Sequence, residues 1–495
     1  MDQDSASTFT ISRAESLAFA ALTGDFNPLH VDPVAARRLM FGGTVLHGLQ
    51  VCLKAIEVAL AGSGEAFVLG EVEVQFAGPV RDGEQIELQR VPTRDGRVKL
   101  RLLCDGEQIQ TITLRPGTAS RCEIDLPDRL PAEQGCRELT IADVARASGA
   151  VPLELDRLAA AALFPRLARA MPVRQLASLL AATRIVGMRC PGRHSLFAEL
   201  HMRFGEPDRL SEPSLAFRVE HIDERFSLAT LSVTGPGVAG HLHTLVRPAP
   251  VEQASYQAAQ RAVARGEFAG QRALVVGGSR GLGELSAKII AAGGGEVVIT
   301  YASGRDDAER VCREIRDGKG VCRSLAFDVL APDRKALAAT LAASPPTHVL
   351  YFATPLIQLT DPASWRESLF RRFCDYYLTG LFRTLTLAQE LSGSGPLTLI
   401  NPSTVFLEQE EPRAKEYTAA KAASEMLCRS LMASDPQLSC HCPRLPRLDT
   451  DQTRTFMAPQ LHQSSMTVML GVLRAACASG RRLAMQSLPD CVGVR

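Results

Sequence analysis

Asp25 and His30 stand five residues apart across a turn that contains Asn27 and Pro28, in the stretch GDFNPLHVDPVAARRLMFGGTVLHG from Gly24 to Gly48. The Pro-containing turn keeps both off a regular element, so their side chains can converge on one point. A carboxylate and an imidazole are a competent acid/base pair. Moving water across a double bond beside a thioester needs one group for the water proton and another for the α-carbon proton. It also needs donors for the carbonyl oxygen, where negative charge grows. Gly48 opens an apolar helix, HGLQVCLKAIEVAL, whose first N–H groups are such donors, and glycine lets an oxygen approach the chain closely. Taken singly, Asp25, Asn27 and His30 are equally residues that cap a helix and satisfy a turn.

A second group of residues suits different chemistry. The strand RALVV runs into GGSRGLG, with Gly277, Ser279, Arg280, Gly281, Leu282 and Gly283, and then into a helix, ELSAKIIAAG. Glycines at that spacing permit a tight turn and aim the helix N-terminus at a pyrophosphate. The next strand, EVVIT, ends in Tyr301-Ala302-Ser303 with no acidic residue for a ribose 2′-hydroxyl, while Arg280 and Arg305 stand near. That pattern favours a 2′-phosphate, hence NADPH over NADH. Farther on, Tyr417 and Lys421 lie four apart in YTAAK, on one face of a helix. A lysine one turn from a tyrosine lowers the phenol's pKa and can hold a ribose, so the phenol can protonate a carbonyl receiving hydride. Alone, such a pair is as readily an exposed helix contact.

Three segments must position these groups. At 495 residues, and roughly 150 per domain, the length allows about three domains. The first segment reads as helix and then strands: GLQVCLKAIEVALAG has helical apolar spacing, while FVLGEVEVQFAGPV, EQIELQRV, RVKLRLLCDG and EQIQTITLR read as strands. The second repeats that order, with a long helix LARAMPVRQLASLLAATRIVGM followed by four strand-like runs from SLFAELHMRF to AGHLHTLVRP. Its most distinctive run, from Val186 to Phe197, holds His194 beside Ser195, but adjacent residues point apart, so no nucleophile and base are implied. The third segment alternates strand and helix, which indicates a parallel sheet covered on both faces. The expected domains are 1–118, 136–250 and 270–495, with 251–269 as a linker.

Composition limits the partners. The 55 basic and 54 acidic residues nearly cancel, leaving no field to hold a nucleic acid. No apolar run approaches a membrane span and the polar start MDQDSASTFT is unlike a signal peptide, so the expectation is a cytoplasmic protein that engages no membrane. The 13 cysteines are scattered, which suits reduced thiols. The cluster Cys440-His441-Cys442 fits no common zinc spacing and reads as a surface loop, so no metal is expected.

Together, Gly24, Asp25, Asn27, Pro28, His30, Phe41, Gly42, His47 and Gly48 resemble the hallmark of the MaoC-like, (R)-specific enoyl-CoA hydratases, Gly-Asp-x-Asn-Pro-x-His followed by Phe-Gly and His-Gly. The resemblance covers about residues 8 to 116. It implies a hot-dog fold, catalytic roles for Asp25 and His30, a positioning role for Asn27 and an oxyanion-binding N–H near Gly48. The second segment, lacking the motif, would be a degenerate hot-dog completing an intrachain pseudo-dimer and one wall of an acyl pocket. The Gly loop with Tyr417 and Lys421 resembles the short-chain dehydrogenases/reductases over about residues 270 to 480. That resemblance implies adenine contacts from Asp328-Val329, and places the catalytic Ser of the family, about 13 residues before the Tyr, on Thr404 with Ser403 beside it. The chain departs from the family at Val276, in place of a Thr, at Tyr351-Phe352-Ala353-Thr354, in place of Asn-Asn-Ala-Gly, and at Tyr377, which aligns with the catalytic Asn.

The expected fold is therefore an α+β double hot-dog followed by an α/β doubly wound Rossmann sheet. The expected function is a bifunctional 3-ketoacyl-thioester reductase and 3-hydroxyacyl-thioester dehydratase for fatty-acid or polyketide assembly, acting on acyl-CoA or acyl carrier protein as a homodimer. Four alternatives stay open: a dehydratase with a catalytically silent nucleotide-binding domain, hydration followed by oxidation in acyl-CoA degradation, thioester hydrolysis at the hot-dog site, and a non-enzymatic scaffold. Arg37-Arg38 and Arg371-Arg372 are candidate phosphate contacts, or simply a solvated basic face.

Overall fold

The computed structural model of the protein describes residues 7–61, 67–118, 126–128, 135–207, 212–453 and 463–478. The chain forms two compact units, the first ending at Ala249 and the second beginning at Pro250. Most of the stretch between Pro116 and Gly135, and the tail from 479, lie outside the described residues.

The first unit is built on one antiparallel sheet of ten strands: β1 (Ser7–Phe9), β2 (Leu69–Phe76), β3 (Ile86–Val91), β4 (Val98–Cys104), β5 (Glu107–Pro116), β6 (Ser148–Pro152), β7 (Ser195–Phe204), β8 (Ser214–Asp223), β9 (Leu228–Gly235) and β10 (Val238–Val246). Their spatial order is β1-β3-β4-β5-β2-β7-β10-β9-β8-β6. Counted inward from either free edge, each half runs first, third, fourth, fifth, second strand, so the two halves meet through β2 and β7. At that seam Val72 lies opposite Met202 and Val74 opposite Leu200, all four buried. In each half a long helix follows the first strand: Gly48–Ala59 in one, Val173–Arg184 in the other. Both helices are buried on nearly every side, as befits a helix enclosed by a sheet. Each fully buried Leu, Ile or Val contributes about 1.5–3 kcal/mol.

Helix termini explain the local path. Ser12 and Glu15 form a reciprocal capping box at the start of the helix Arg13–Thr23, and Gly24 ends it with a left-handed φ of 70°. The long helix read from Leu167 onward is broken: Pro172 caps Val173–Arg184, and beyond Arg184 the chain widens into a π-helix, Ile185–Arg189. A proline cannot donate to the preceding turn, so the apolar periodicity runs on through the break while the hydrogen bonding does not.

The second unit carries a six-stranded parallel sheet: β11 (Arg272–Val276), β12 (Glu296–Tyr301), β13 (Val321–Ala326), β14 (His348–Tyr351), β15 (Leu397–Ile400) and β17 (Leu438–His441), in the order β13-β12-β11-β14-β15-β17. A two-stranded parallel pair, β16 (Ser403–Thr404) with β18 (Arg444–Leu445), extends from the C-terminal ends of β15 and β17. This is a doubly wound nucleotide-binding order, in which ligands sit beyond the strand C-termini. Two expectations change here. Residues 251–269, read as a linker, contain the helix Tyr256–Ala262, and Tyr256, Ala259 and Phe268 are buried in this unit's core. Cys440, His441 and Cys442 are buried along and just after β17 rather than in a surface loop. Among the described residues, no helix is long and apolar enough to cross a membrane.

Candidate functional site

In the first unit the turn after Gly24 is pinned from both halves of the sheet. Asn27 caps the helix Pro28–Val31, its side-chain oxygen accepting from the Leu29 N–H at 3.0 Å. Its amide donates 160 residues away, to the carbonyls of Gly187 and Gly192, both at 3.0 Å. Asp25 is buried, and Thr183 donates to its Oδ2 at 2.8 Å. The carboxylate rests directly on Gly187: a Cβ there would stand 2.1 Å from Asp25 Oδ1. No other residue type fits that position without evicting the acid. The π-helix Ile185–Arg189 is what presents it, and such bulges recur at functional sites.

Asp25, His30 and His47 each offer a ligand atom, all within 4.8 Å of one another. The two rings stack at 3.8 Å. Carbonyl partners imply each tautomer: His30 Nδ1 donates to Val45 O at 2.8 Å, and His47 Nε2 donates to Asp25 O at 3.0 Å. His30 Nε2 is thereby left as a lone pair. Burial, reinforced by His47, pushes the His30 pKa down to about 3, so this ring is neutral at ordinary pH. Burial likewise takes His47 to about 4. Asp25 moves the other way, its pKa raised by burial against the opposing effects of His30, Thr183 and the Asn27 N–H. A neutral imidazole with a free lone pair beside a carboxyl of raised pKa is an acid/base pair. The trio is also the one group among the described residues able to offer a metal three such ligands, but the carbonyl partner of His47 Nε2 requires a proton on the nitrogen nearest Asp25.

Gly48 begins the central helix, and its N-cap, His47, makes no side-chain capping bond. Among the described residues, the first-turn N–H groups thus have no side-chain acceptor. A Cβ at Gly48 would meet the Phe76 ring at 2.7 Å, so the position has no room for a side chain. Sequence reasoning gave His47 no separate role and missed Thr183 and Gly187 altogether. Ser195 Oγ lies 3.5 Å from Asn27 Nδ2, and His194 Nε2 lies 3.0 Å from a Glu138 oxygen, so neither activates the other.

In the second unit the glycine loop has the shape a dinucleotide needs. Gly277 and Gly281 have φ of 80° and 59°, and a Cβ at Gly283 would stand 2.3 Å from Gly277 O. Arg280 caps the helix Gly281–Ala292 without a side-chain bond, leaving its first N–H groups for an anion. Ser279 is buried and Leu282 half-buried in that turn. Arg280 Nη1 stands 3.3 Å from Asp451 Oδ2, while Ser303 and Arg305 are exposed at the end of β12. Val329 is buried, and Asp328 Oδ1 accepts from the Leu330 N–H at 2.9 Å.

Tyr417 and Lys421 share the helix Lys415–Ser434, both buried. Thr404 is the side chain that favours the ionised Tyr417 phenol, against the burial that disfavours it. Ser403 is turned to Glu425, bonding its Oε1 at 2.5 Å, with Arg444 clamping the same carboxylate. The structure therefore brings Thr404 to the phenol and takes Ser403 away from it. One expectation about Lys421 is altered, its lowering of the Tyr417 phenol. Its Nζ donates to Pro402 O at 2.8 Å, and burial pushes the Tyr417 phenol up to about 12 instead of lowering it. Burial lowers Lys421 itself to about 8.

Comparison with known proteins follows the same division. A family model described as MaoC like domain matches residues 1–102, and one described as short chain dehydrogenase matches 271–438. The chain is 32% identical over 105 residues to the (R)-specific enoyl-CoA hydratase of Aeromonas caviae, covering 21% of this chain and 71% of that one. It is 30% identical over 194 residues to a short-chain type dehydrogenase/reductase of Picea abies, covering 35% and 69%. A probable dehydratase, NIT22, of Ajellomyces capsulatus is 36% identical over 88 residues, 17% of this chain, and the chain spans only 23% of that protein's length. Among solved structures, the angucycline C-6 ketoreductase LanV with bound NADP aligns at 19% identity and a TM-score of 0.38, covering 43% of this chain and 91% of that one. The chain joins a MaoC-like dehydratase domain of hot-dog fold, at its amino-terminal end, to a member of the short-chain dehydrogenases with their parallel sheet, and belongs to both families.

Proposed function

We propose that the protein is a bifunctional 3-ketoacyl-thioester reductase and 3-hydroxyacyl-thioester dehydratase. The observation that carries this reading is the cluster of buried Asp25 and His47 with half-buried His30, with Asn27 securing the turn and an uncapped helix start at Gly48. In dehydration, Asp25 and His30 divide the two proton transfers: one removes the α-proton, the other protonates the departing hydroxyl, and water leaves. The first-turn N–H groups at Gly48 hold the thioester oxygen as charge accumulates on it. We read the two like-ordered halves of the ten-stranded sheet as a double hot-dog, the second half serving as wall and support.

In the second unit the glycine loop fits NADPH, which supplies the hydride when bound. Gly277, Gly281 and Gly283 would admit the pyrophosphate, Asp328-Val329 would hold the adenine, and the end of β12, which offers Ser303 and Arg305 but no acid, would suit a 2′-phosphate. Tyr417 gives its proton to the ketone oxygen, Thr404 orients that oxygen, and Lys421 keeps the pocket cationic. Reduction precedes dehydration in the biosynthetic direction that NADPH favours. The substrate is an acyl chain on coenzyme A or on an acidic carrier protein, and the protein acts as a homodimer. A second reading, dehydratase alone, draws support from Tyr351 and Tyr377 standing, both buried, where the resemblance expects asparagines.

Mass spectrometry of 3-ketoacyl-CoA and the matching carrier-bound substrate, with NADPH or NADH, separates the two. The expected result is an enoyl product with NADPH, a halt at the ketone in Tyr417→Phe, and accumulation of the hydroxyacyl species in Asp25→Asn. If NADPH binds, no ketone is reduced and Tyr417→Phe changes nothing, the bifunctional reading fails and the dehydratase-only reading stands.

A further inference from the structure

The position that aligns with the family's catalytic Asn is Tyr377, buried within the π-helix Asp375–Gly380. Its ring centroid lies 3.9 Å from Lys421 Nζ, well inside cation–π range, while the Tyr417 ring is farther, at 6.0 Å. The Tyr377 hydroxyl is committed elsewhere, 2.5 Å from Thr354 Oγ1, so the ring cannot rotate its hydroxyl toward the ammonium. Phe373 stacks on one side of the ring at 5.8 Å and Tyr417 meets its edge at 5.9 Å. The Tyr377 carbonyl accepts from Ser424 Oγ at 3.1 Å, tying this turn to the helix that carries Lys421. The tyrosine is thus locked with its π face toward a buried ammonium that donates to Pro402 O.

We propose that Tyr377 is the positioning residue for Lys421, its π face fixing the ammonium where the family uses an asparagine relay. The inference rests on the reading of Tyr417, Thr404 and Lys421 as a ketone-reducing set. The titratable groups facing Lys421 are Glu425 and Cys428 on its own helix, Cys442 after β17, and the two tyrosines; Arg444 neutralises Glu425. Burial dominates and lowers the lysine to about 8, so its charge at working pH depends on such neighbours. A quadrupole facing an ammonium in a dry site raises the lysine pKa by about one unit relative to a neutral apolar surface.

The test is a graded series at this position. Tyr377→Phe keeps the π face and serves as baseline; mono-, di- and trifluorinated phenylalanines at the same site withdraw electron density from it with little change of shape. Tyr377→Leu removes the face. Two readouts are taken on the full chain: the alkaline limb of ketone reduction against pH, and the acetic anhydride acetylation rate of Lys421 against pH, followed by peptide mass spectrometry. The expected result is a stepwise fall of the Lys421 pKa with fluorine count, reaching about one unit in the trifluoro variant and in Tyr377→Leu. Acetylation at fixed pH then speeds by up to about tenfold, because more of the amine is neutral. A purely space-filling role predicts no fluorine dependence, and a flat series overturns the proposal even if the Leu variant does not fold. Failure of the wild type to reduce any ketone would overturn the reductase reading instead, with the labelling series still reporting on Tyr377.

Discussion

The two halves of the ten-stranded sheet have the same strand order and each has a long helix after its first strand, but they carry different groups. The first half holds Asp25, His30 and His47. The second holds no acid/base pair in the corresponding turn, where Pro172 stands ahead of its helix as His47 stands ahead of Gly48. Yet it is the second half that shapes the acid's environment. Thr183 donates to the Asp25 carboxylate, Gly187 makes room for it, and the carbonyls of Gly187 and Gly192 hold Asn27. Duplication followed by divergence can leave chemistry in one half and its supporting contacts in the other. Removing chemistry from the first half should therefore cost most, and disturbing the supports should cost less but measurably.

The largest effect falls on Asp25→Asn, which keeps the shape and loses the titrating group. Hydration of a 2-enoyl thioester should drop by about 10³-fold with the thermal unfolding curve little changed. A loss of less than about fivefold would show that the first half does not own the chemistry. Gly187→Ala comes next and strikes from the other half. A Cβ there would stand 2.1–2.5 Å from the carboxylate atoms of Asp25, so the acid must swing away. Hydration should fall about 10²-fold although residue 187 contributes no side chain to the reaction. Activity near wild type would mean that the carboxylate can work from another position.

Acid should charge the two imidazoles of the first half. His30 is held near 3 and His47 near 4, both below the ordinary 6.5. These folded pKa values are depressed, so the neutral rings stabilise the fold fully above about pH 6.5, and that stabilisation is lost as pH falls toward 4 and 3. At pH 5 each contributes about 2 kcal/mol less than at pH 7. Denaturant titrations at the two pH values should show the amino-terminal unit weakening accordingly, and replacing His47 by Gln should remove about half of the difference. A pH-independent midpoint would contradict the burial of these rings.

How much of this could be read from the residues alone depended on length and contiguity. The eight long strands of the first unit announce themselves by alternation, but β1 has three residues and β6 ends at Pro152, too short for a period to register. The acid/base turn was legible because Gly24 to Gly48 is contiguous. Thr183 and Gly187 were not, since their meaning arises only when a chain segment some 160 residues away folds against them. The signal that could have found them is the glycine in an otherwise apolar helical run, IVGMR, where a packing reason is the usual explanation. In the second unit the spacing to Tyr417 left Ser403 and Thr404 both open, because strand alternation puts neighbours on opposite faces and spacing alone is good to about one residue. The Cys440-His441-Cys442 cluster misled for a related reason: polar-looking residues on an edge strand of a covered sheet are as buried as valines.

The finest test of what the second half contributes is Thr183→Val, which keeps the side chain's shape and puts a methyl where the hydroxyl stood. Thr183 sits in the last turn of its helix, where a threonine can turn its hydroxyl back on a carbonyl of the preceding turn. Here it donates to Asp25 Oδ2 at 2.8 Å, stabilising the ionised carboxylate against the burial that raises its pKa. Losing a hydrogen bond to a buried charge costs about 1.5 kcal/mol, and that cost falls on the ionised form alone, so the Asp25 pKa rises by about one unit. The acid limb of hydration against pH should therefore move up by the same amount, with the high-pH plateau nearly preserved and a roughly tenfold loss on the limb itself. A uniform loss at every pH would instead make Thr183 a packing residue. An unmoved limb would leave the second half without influence on the carboxylate's charge.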